Sequence, residues 1–327
     1  MSFISRKRFT GGKGPGRGGP LPAAVALSVV AVAAIAVFLF LRGPAAEGSA
    51  GSPDSFRPGR DGHRVDRREL VRMWEEGAFD GVFSETGNAL EARPTDYFLL
   101  TMRGFSAYQL GVSQIDGMAA MEYFDDSIRV LRRAMLLREG ESDGRLFYVL
   151  GKAYSQMGDG FADMTIEYLE KARALGYAAS DIHEFLGLAY KEVGDYLSSV
   201  VAFTEALEAT RPSARLLFSI AASYAALDDF DSARAYLVRC IDVSVDSRVT
   251  VEARLFLADV LRRIGDADGA ERELFDVLDE TGENAEARFR LGELYAEKGD
   301  GVRARAEWRR ARDVDPTHLR AIARLSL

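Results

Sequence analysis

A single cysteine, Cys240, occurs in 327 residues. No disulfide can form within the chain, and the absence fits a reducing or an oxidising compartment equally well. Histidine is almost as scarce. His63, His183 and His318 share no metal-ligand spacing, and none pairs with a nucleophile. A glycine-rich stretch at 11–18 lacks the Gly-x4-Gly-Lys-Ser/Thr order that cradles phosphate, and no strand pattern precedes it. Carboxylates are many but scattered over solvated faces, with no acid–base constellation. These absences argue against an enzyme and against a metal site, a cofactor or a small-molecule substrate. Nucleic acid is an equally poor partner. The chain has 42 Lys and Arg against 50 Asp and Glu, a net charge of −8. Residues 1–62 hold 8 basic and 3 acidic side chains, so the rest carries −13, and phosphate binding needs a basic footprint.

What is present falls into two parts. Residues 21–41 contain no charge and are rich in Ala, Val, Ile, Leu and Phe. A helix of that length spans roughly 30 Å, the thickness of the bilayer hydrocarbon. Arg6, Lys7, Arg8, Lys13 and Arg17 precede the run, with no acid among the first twenty residues, and mixed charges follow it. The positive-inside bias places the N-terminus in the cytoplasm. The run is longer than the apolar region of a secretory leader, and Gly48-Ser49-Ala50 is a poor cleavage site, so an uncleaved anchor is expected. No cysteine follows the run to accept a lipid. Residues 1–20 read as a disordered basic cytoplasmic tail and 42–62 as a flexible linker rich in Gly, Pro, Ala and Ser.

From residue 63 onward the chain repeats. Residues 251–284 overlay 285–318 without a gap, a period of 34. Within 285–318 the pattern is carried by Leu291, Gly292, Tyr295, Gly299, Asp300, Ala304, Trp308, Ala311 and Pro316. The eighth position is small in six successive units: Gly104, Gly151, Gly187, Ala221, Ala258 and Gly292. The twenty-fourth is a large apolar knob: Leu131, Leu169, Phe203, Leu237, Leu274 and Trp308. Gly158-Asp159, Gly194-Asp195, Gly265-Asp266 and Gly299-Asp300 turn the chain, glycine closing one helix and aspartate capping the next. Cys240 falls at the twenty-seventh position, where most units have Ala, and reads as a small buried residue.

This pattern resembles the tetratricopeptide repeat (TPR), a helix–turn–helix unit of 34 residues. The resemblance implies an all-α, right-handed superhelical solenoid of about seven repeats, following one transmembrane helix. The units are 63–96, 97–143, 144–179, 180–213, 214–247, 251–284 and 285–318, with a capping helix over 319–327. The second unit is about a dozen residues longer than the repeat, between Gly111 and Asp126, and Arg248 to Thr250 separate the fifth from the sixth. In the cap, Leu319, Ile322 and Ala323 are spaced to face the array.

Arrays of this family bind other proteins along a groove lined by positions 2, 5, 9 and 12 of each first helix. Carried over, these positions include Phe98, Phe105, Tyr108, Arg145, Tyr148, Lys152, Phe218 and Phe289 as a candidate peptide-binding groove, aromatic near the membrane end and more charged toward the C-terminus. No Asn occupies a groove position, so the clamp that related chaperone-binding arrays use for a terminal carboxylate is not expected. The implied function is a membrane-anchored scaffold or adaptor, with its solenoid in the periplasm. Alternatives are a chaperone-like accessory of the Sec translocon, an envelope or flagellar assembly component, and a regulator whose basic tail signals in the cytoplasm. A reporter fused after Leu327 is expected to be active outside the cytoplasm. Protection of the solenoid from protease after outer-membrane permeabilisation would refute that topology.

Overall fold

The structure, a computed structural model, describes residues 66–326 apart from 159, 210 and 211. The basic tail, the apolar run 21–41 and the linker 42–62 lie outside the described residues, as does Asp159 of the third turn. Among the described residues no helix is long and apolar enough to cross a membrane, and every regular element is helical. Seven helix pairs follow one another: α1 (Arg67–Glu75) with α2 (Phe79–Ala92), α3 (Tyr97–Ser113) with α4 (Gly117–Met135), and α5 (Gly144–Gln156) with α6 (Ala162–Ala174). Next come α7 (Ile182–Glu192) with α8 (Tyr196–Ala209), α9 (Ala214–Ala226) with α10 (Phe230–Val243), α11 (Ser247–Arg263) with α12 (Ala267–Thr281), and α13 (Ala285–Glu297) with α14 (Gly301–Val314). α15 (Leu319–Leu325) closes the array.

Local sequence sets these boundaries. The side chains of Asp66, Asp96, Asp143, Ser213, Asp246 and Asn284 each accept a backbone N–H in the first turn of a first helix. Asp266 and Asp300 do the same for second helices, accepting from Gly269 and Arg303 at 2.8 and 2.9 Å. In the turns before them, Gly265 and Gly299 sit at φ +85° and +79°, where a side chain would strain the backbone. The fifth turn has Asp228 at that place, the one non-glycine residue with positive φ among the described residues.

Four of the seven pairs are locked by the same glycine contact. A Cβ added to Gly104 would lie 2.5 Å from Leu131, at Gly151 2.7 Å from Leu169, and at Gly187 2.5 Å from Phe203; at Gly292 it would strike Trp308. The small eighth position therefore receives the large twenty-fourth position of its own unit. Small residues at the twentieth position permit the approach. Ser127 and Ser199 also hydrogen-bond the carbonyls of Gly104 and Gly187, both at 2.8 Å. Neighbouring pairs then stack, so the buried apolar side chains run as clusters from Leu70 to Ala321. First helices of successive pairs touch one another, α3 with α5, α5 with α7, α7 with α9 and α9 with α11, which places them along the inner face.

Two local expectations are corrected. Arg248 to Thr250 do not separate units; they form the first turn of α11, which starts one turn early because Asp246 caps it by accepting from Arg248 N at 3.0 Å. The cap helix buries Ala321 and leaves Leu319 and Ile322 exposed, with Ala323 exposed as well. Its rotation is fixed by polar contacts. His318 Nδ1 accepts from Ala321 N, and Arg320 and Arg324 reach Glu286 and Glu293 on α13.

The Gly187–Phe203 contact gives a direct test. Gly187→Ala is expected to cost about 1–3 kcal/mol, because the fully buried Phe203 ring must move. Leu197→Ser, on the exposed face of α8, should change stability by less than about 0.5 kcal/mol. Thermal melts of the two variants should separate clearly, and equal losses would show that the contact does not lock the pair.

Candidate functional site

The two halves of the inner face differ. In the N-terminal half the expected groove residues are occupied by contacts within the array. Phe98 is buried, with the Arg67 guanidinium 4.9 Å above its ring. Phe105 is half-buried against Trp74, ring centres 6.4 Å apart. Tyr108 is buried against Phe124 at 5.9 Å. Phe98 and Tyr108 thus pack between helices and do not present a free aromatic wall, which corrects that part of the expectation.

The polar residues of this half form two ladders between units. Tyr97 Oη donates to Asp143 Oδ2 at 2.8 Å, and the Arg145 guanidinium grips both oxygens of the same carboxylate at 3.1 Å each. Tyr148 Oη donates to Asp181 Oδ1 at 2.6 Å, while Lys152 Nζ donates to Asp181 Oδ2 at 2.7 Å and to Tyr148 Oη at 3.1 Å. Lys152 Nζ also lies 5.5, 5.1 and 4.7 Å from the ring centres of Tyr108, Tyr148 and Phe185, favourable for a cation. Burial, reinforced by the neighbouring carboxylates, raises the Tyr97 and Tyr148 phenols far above their ordinary range. Both remain neutral donors. Burial alone would raise Asp143, but the hydrogen bond and charge of Arg145, together with Tyr97, outweigh it and hold the carboxyl below its ordinary range.

The C-terminal half is open. Three concavities of about 390, 390 and 470 Å³ follow one another along α9, α11, α13 and α15. The first two share Phe218 and Glu252; the second and third share Asp259 and Arg290. They form one trough. Its apolar floor includes Phe218 and Phe256, 5.7 Å apart, then Leu255 and the buried Phe289. Its walls carry Arg215, Arg248, Arg262, Arg290, Arg320 and Arg324 against Asp246, Glu252, Asp259 and Glu293. Arginine thus outnumbers acid on the trough surface although the domain is acidic. Arg290 is held at 2.6 Å each by Asp259 Oδ2, Glu286 Oε1 and the Leu255 carbonyl. Burial raises Asp259, and Arg290 only partly offsets this. His318 and Arg320 stack on Phe289 at 5.1 and 4.7 Å, so the cap helix walls off the end.

Of the eight residues expected from the sequence, the trough contains Phe218 and Phe289; the other six belong to the occupied half. Phe256 and Arg290 were missed because they fall at the sixth position of their units. Their signal was present in the i, i+4 spacing to Glu252 and Glu286, which places them on the groove face one turn on.

A tetratricopeptide-repeat sequence model matches residues 214–244, covering α9 and α10. The chain is similar in structure to the C-terminal part of a TPR repeat-containing protein from Cytophaga hutchinsonii. Identity is 15%, coverage is 80% of this chain and 99% of that one, and the TM-score is 0.58. It is also similar to YrrB, described as a TPR protein with an unusual peptide-binding site (21% identity, 60% and 98% coverage, TM-score 0.49). A third likeness is to a tetratricopeptide repeat protein from Parabacteroides merdae (14% identity, 79% and 95% coverage, TM-score 0.46). No curated protein matches the chain significantly. The sequence of one unit and the fold of the described residues are those of a tetratricopeptide-repeat array.

The Asp143 ladder makes stability depend on acid in a defined way. A carboxyl held below its ordinary range contributes stability above that range and loses it as pH falls through the folded value. Asp143→Asn keeps an N-cap and an acceptor for Tyr97 but loses the charge pair with Arg145. It is expected to cost roughly 1–3 kcal/mol at neutral pH and to flatten the loss of melting temperature below pH 4. An unchanged acid slope would show that Asp143 is not held by this pair.

Proposed function

We propose that this protein is a membrane-tethered interaction scaffold that holds a segment of another protein along the trough formed by α9, α11, α13 and α15. One observation carries the reading: the inner face is open, apolar-floored and arginine-walled over its C-terminal half, while its N-terminal half is filled by its own ladders. A segment that mixes apolar side chains with carboxylates suits that surface, since guanidinium groups pair with carboxylates in two-point geometry. The tether rests on the sequence of residues 21–41, and the basic residues ahead of that run favour a solenoid outside the cytoplasmic membrane. In this reading the array organises a periplasmic assembly at the membrane surface.

Phe218 and Phe256 supply the central aromatic contact of the floor. Phe218→Ala combined with Phe256→Ala is expected to leave helicity unchanged and to weaken partner capture. The loss should be about 2 kcal/mol, roughly thirtyfold, as for a buried aromatic hot spot. A photo-crosslinker placed at Ser219 should yield a few discrete adducts in membranes, and one at Leu197 on the opposite face should not. Indistinguishable adducts from the two sites, or full capture by the double variant, would place the binding surface elsewhere.

A further inference from the structure

The second helix pair is extended beyond the length of the shorter pairs. α3 and α4 run 17 and 19 residues, against 11 and 14 for α7 and α8. The extension is rigid at its base. Gly111 lets the Phe124 ring approach to where a Cβ would lie 2.6 Å away, and Tyr123 packs edge-on against Phe83 at 5.5 Å. Beyond that base, no residue from 112 to 123 is buried. Asp116 holds the turn by accepting from Met118 N at 2.9 Å.

The tip is apolar nonetheless. Val112, Ile115, Met118 and Met121 are exposed by 55, 104, 78 and 41%. Four large apolar side chains exposed within ten residues around one turn mark an interaction surface and not a core. Two of them are methionines, whose flexible thioether chains adapt to varied apolar partners. The charge around them is of one sign. From residue 104 to 128 there is no Lys or Arg, and Asp116, Glu122 and Asp125 are all exposed.

We infer that the α3–α4 tip is a second docking site, taking an apolar protein segment flanked by basic residues. The four apolar side chains would be covered by the segment, and the three carboxylates would meet its Lys or Arg. The same carboxylates repel an anionic bilayer, which disfavours a lipid surface as the occupant. The site is separate from the trough in position and opposite to it in charge preference, so it stands or falls independently of the groove reading.

The test uses the full chain in detergent micelles and two labelled synthetic peptides with one Leu-Ala core, flanked by Lys in one and by Glu in the other. Fluorescence anisotropy should show the Lys peptide binding at least tenfold more tightly than the Glu peptide, with affinity falling as salt is raised. Ile115→Ser combined with Met118→Ser alters only exposed positions and should weaken the Lys peptide at least tenfold. The Phe218→Ala and Phe256→Ala pair should leave its binding unchanged. Equal affinity for the two peptides, or no effect of the tip variant, overturns the proposal. A photo-crosslinker at Ile115 that joins residues 1–41 of the same chain would also overturn it, showing that the tip is covered internally. Tip-dependent binding of phosphatidylglycerol vesicles in place of the Lys peptide would assign the tip to lipid and overturn it likewise.

Discussion

The contact between a small eighth position and a large twenty-fourth position sets the geometry on which the array from the second unit onward depends. Gly104, Gly151, Gly187 and Gly292 have no side chain, so Leu131, Leu169, Phe203 and Trp308 can rest directly on the first helix. A helix pair made this close presents a broad apolar face to the next pair, and neither pair is stable without the other. The fifth and sixth units achieve the contact with Ala221 and Ala258, both buried. The first unit places Leu70 there, fully buried under the start of the array. Because the second helices are held against the outer side of the first, the first helices are left to line the inner face, and the trough inherits its spacing from the repeat.

Within that shared geometry, single atoms decide whether a stretch of the inner face is closed or open. At the fifth position the third unit has Tyr148, whose hydroxyl reaches Asp181 at the start of the next first helix. The fifth unit has Phe218 at the same position. Without a hydroxyl it makes no such bond to Asp246, and the space between α9 and α11 stays open. Leu255 and Phe289 continue the apolar series in the sixth and seventh units. Lys152 likewise turns inward onto Asp181 and three rings. Its charge is satisfied away from any open concavity, whereas the trough arginines, several of them also paired, line one.

The fold was legible because its determinants are periodic and local. A small residue every 34 positions, a knob sixteen residues later and a Gly-Asp turn between them can be read without coordinates. Site residues were less legible because periodicity assigns a face and not a depth. Phe98 and Tyr108 stand at groove positions, yet packing covers them, Phe98 beneath Arg67 of the preceding pair and Tyr108 against Phe124 on the long second helix of its own pair. Leu319 and Ile322 looked like the buried face of the cap by hydrophobicity. The helix instead turns to satisfy Arg320 and Arg324 on Glu286 and Glu293, a constraint that joins residues more than thirty positions apart. The ladders were hidden for the same reason, since Tyr97 opens the first helix of one pair and Asp143 caps the first helix of the next, 46 residues on.

An acidic domain that gathers six arginines along one trough must hold them against both repulsion and solvent. Four of the six are paired: Arg262 with Glu297, Arg290 with Asp259 on α11 and with Glu286 on its own helix, Arg320 with Glu286, and Arg324 with Glu293. Such pairs are partly exposed and contribute little to stability individually. Under the proposed function, their larger effect is to fix the guanidinium groups in place before a partner arrives, which lowers the ordering entropy lost on binding. A carboxylate from a partner can then exchange with an internal one at small cost, because the arginine is already positioned and the displaced acid returns to water. The same logic explains why the acidic tip of α3 and α4 and the arginine-walled trough can coexist on one array. Each surface is organised by its own unit and its immediate neighbours, and a quasi-linear solenoid keeps the two fields apart.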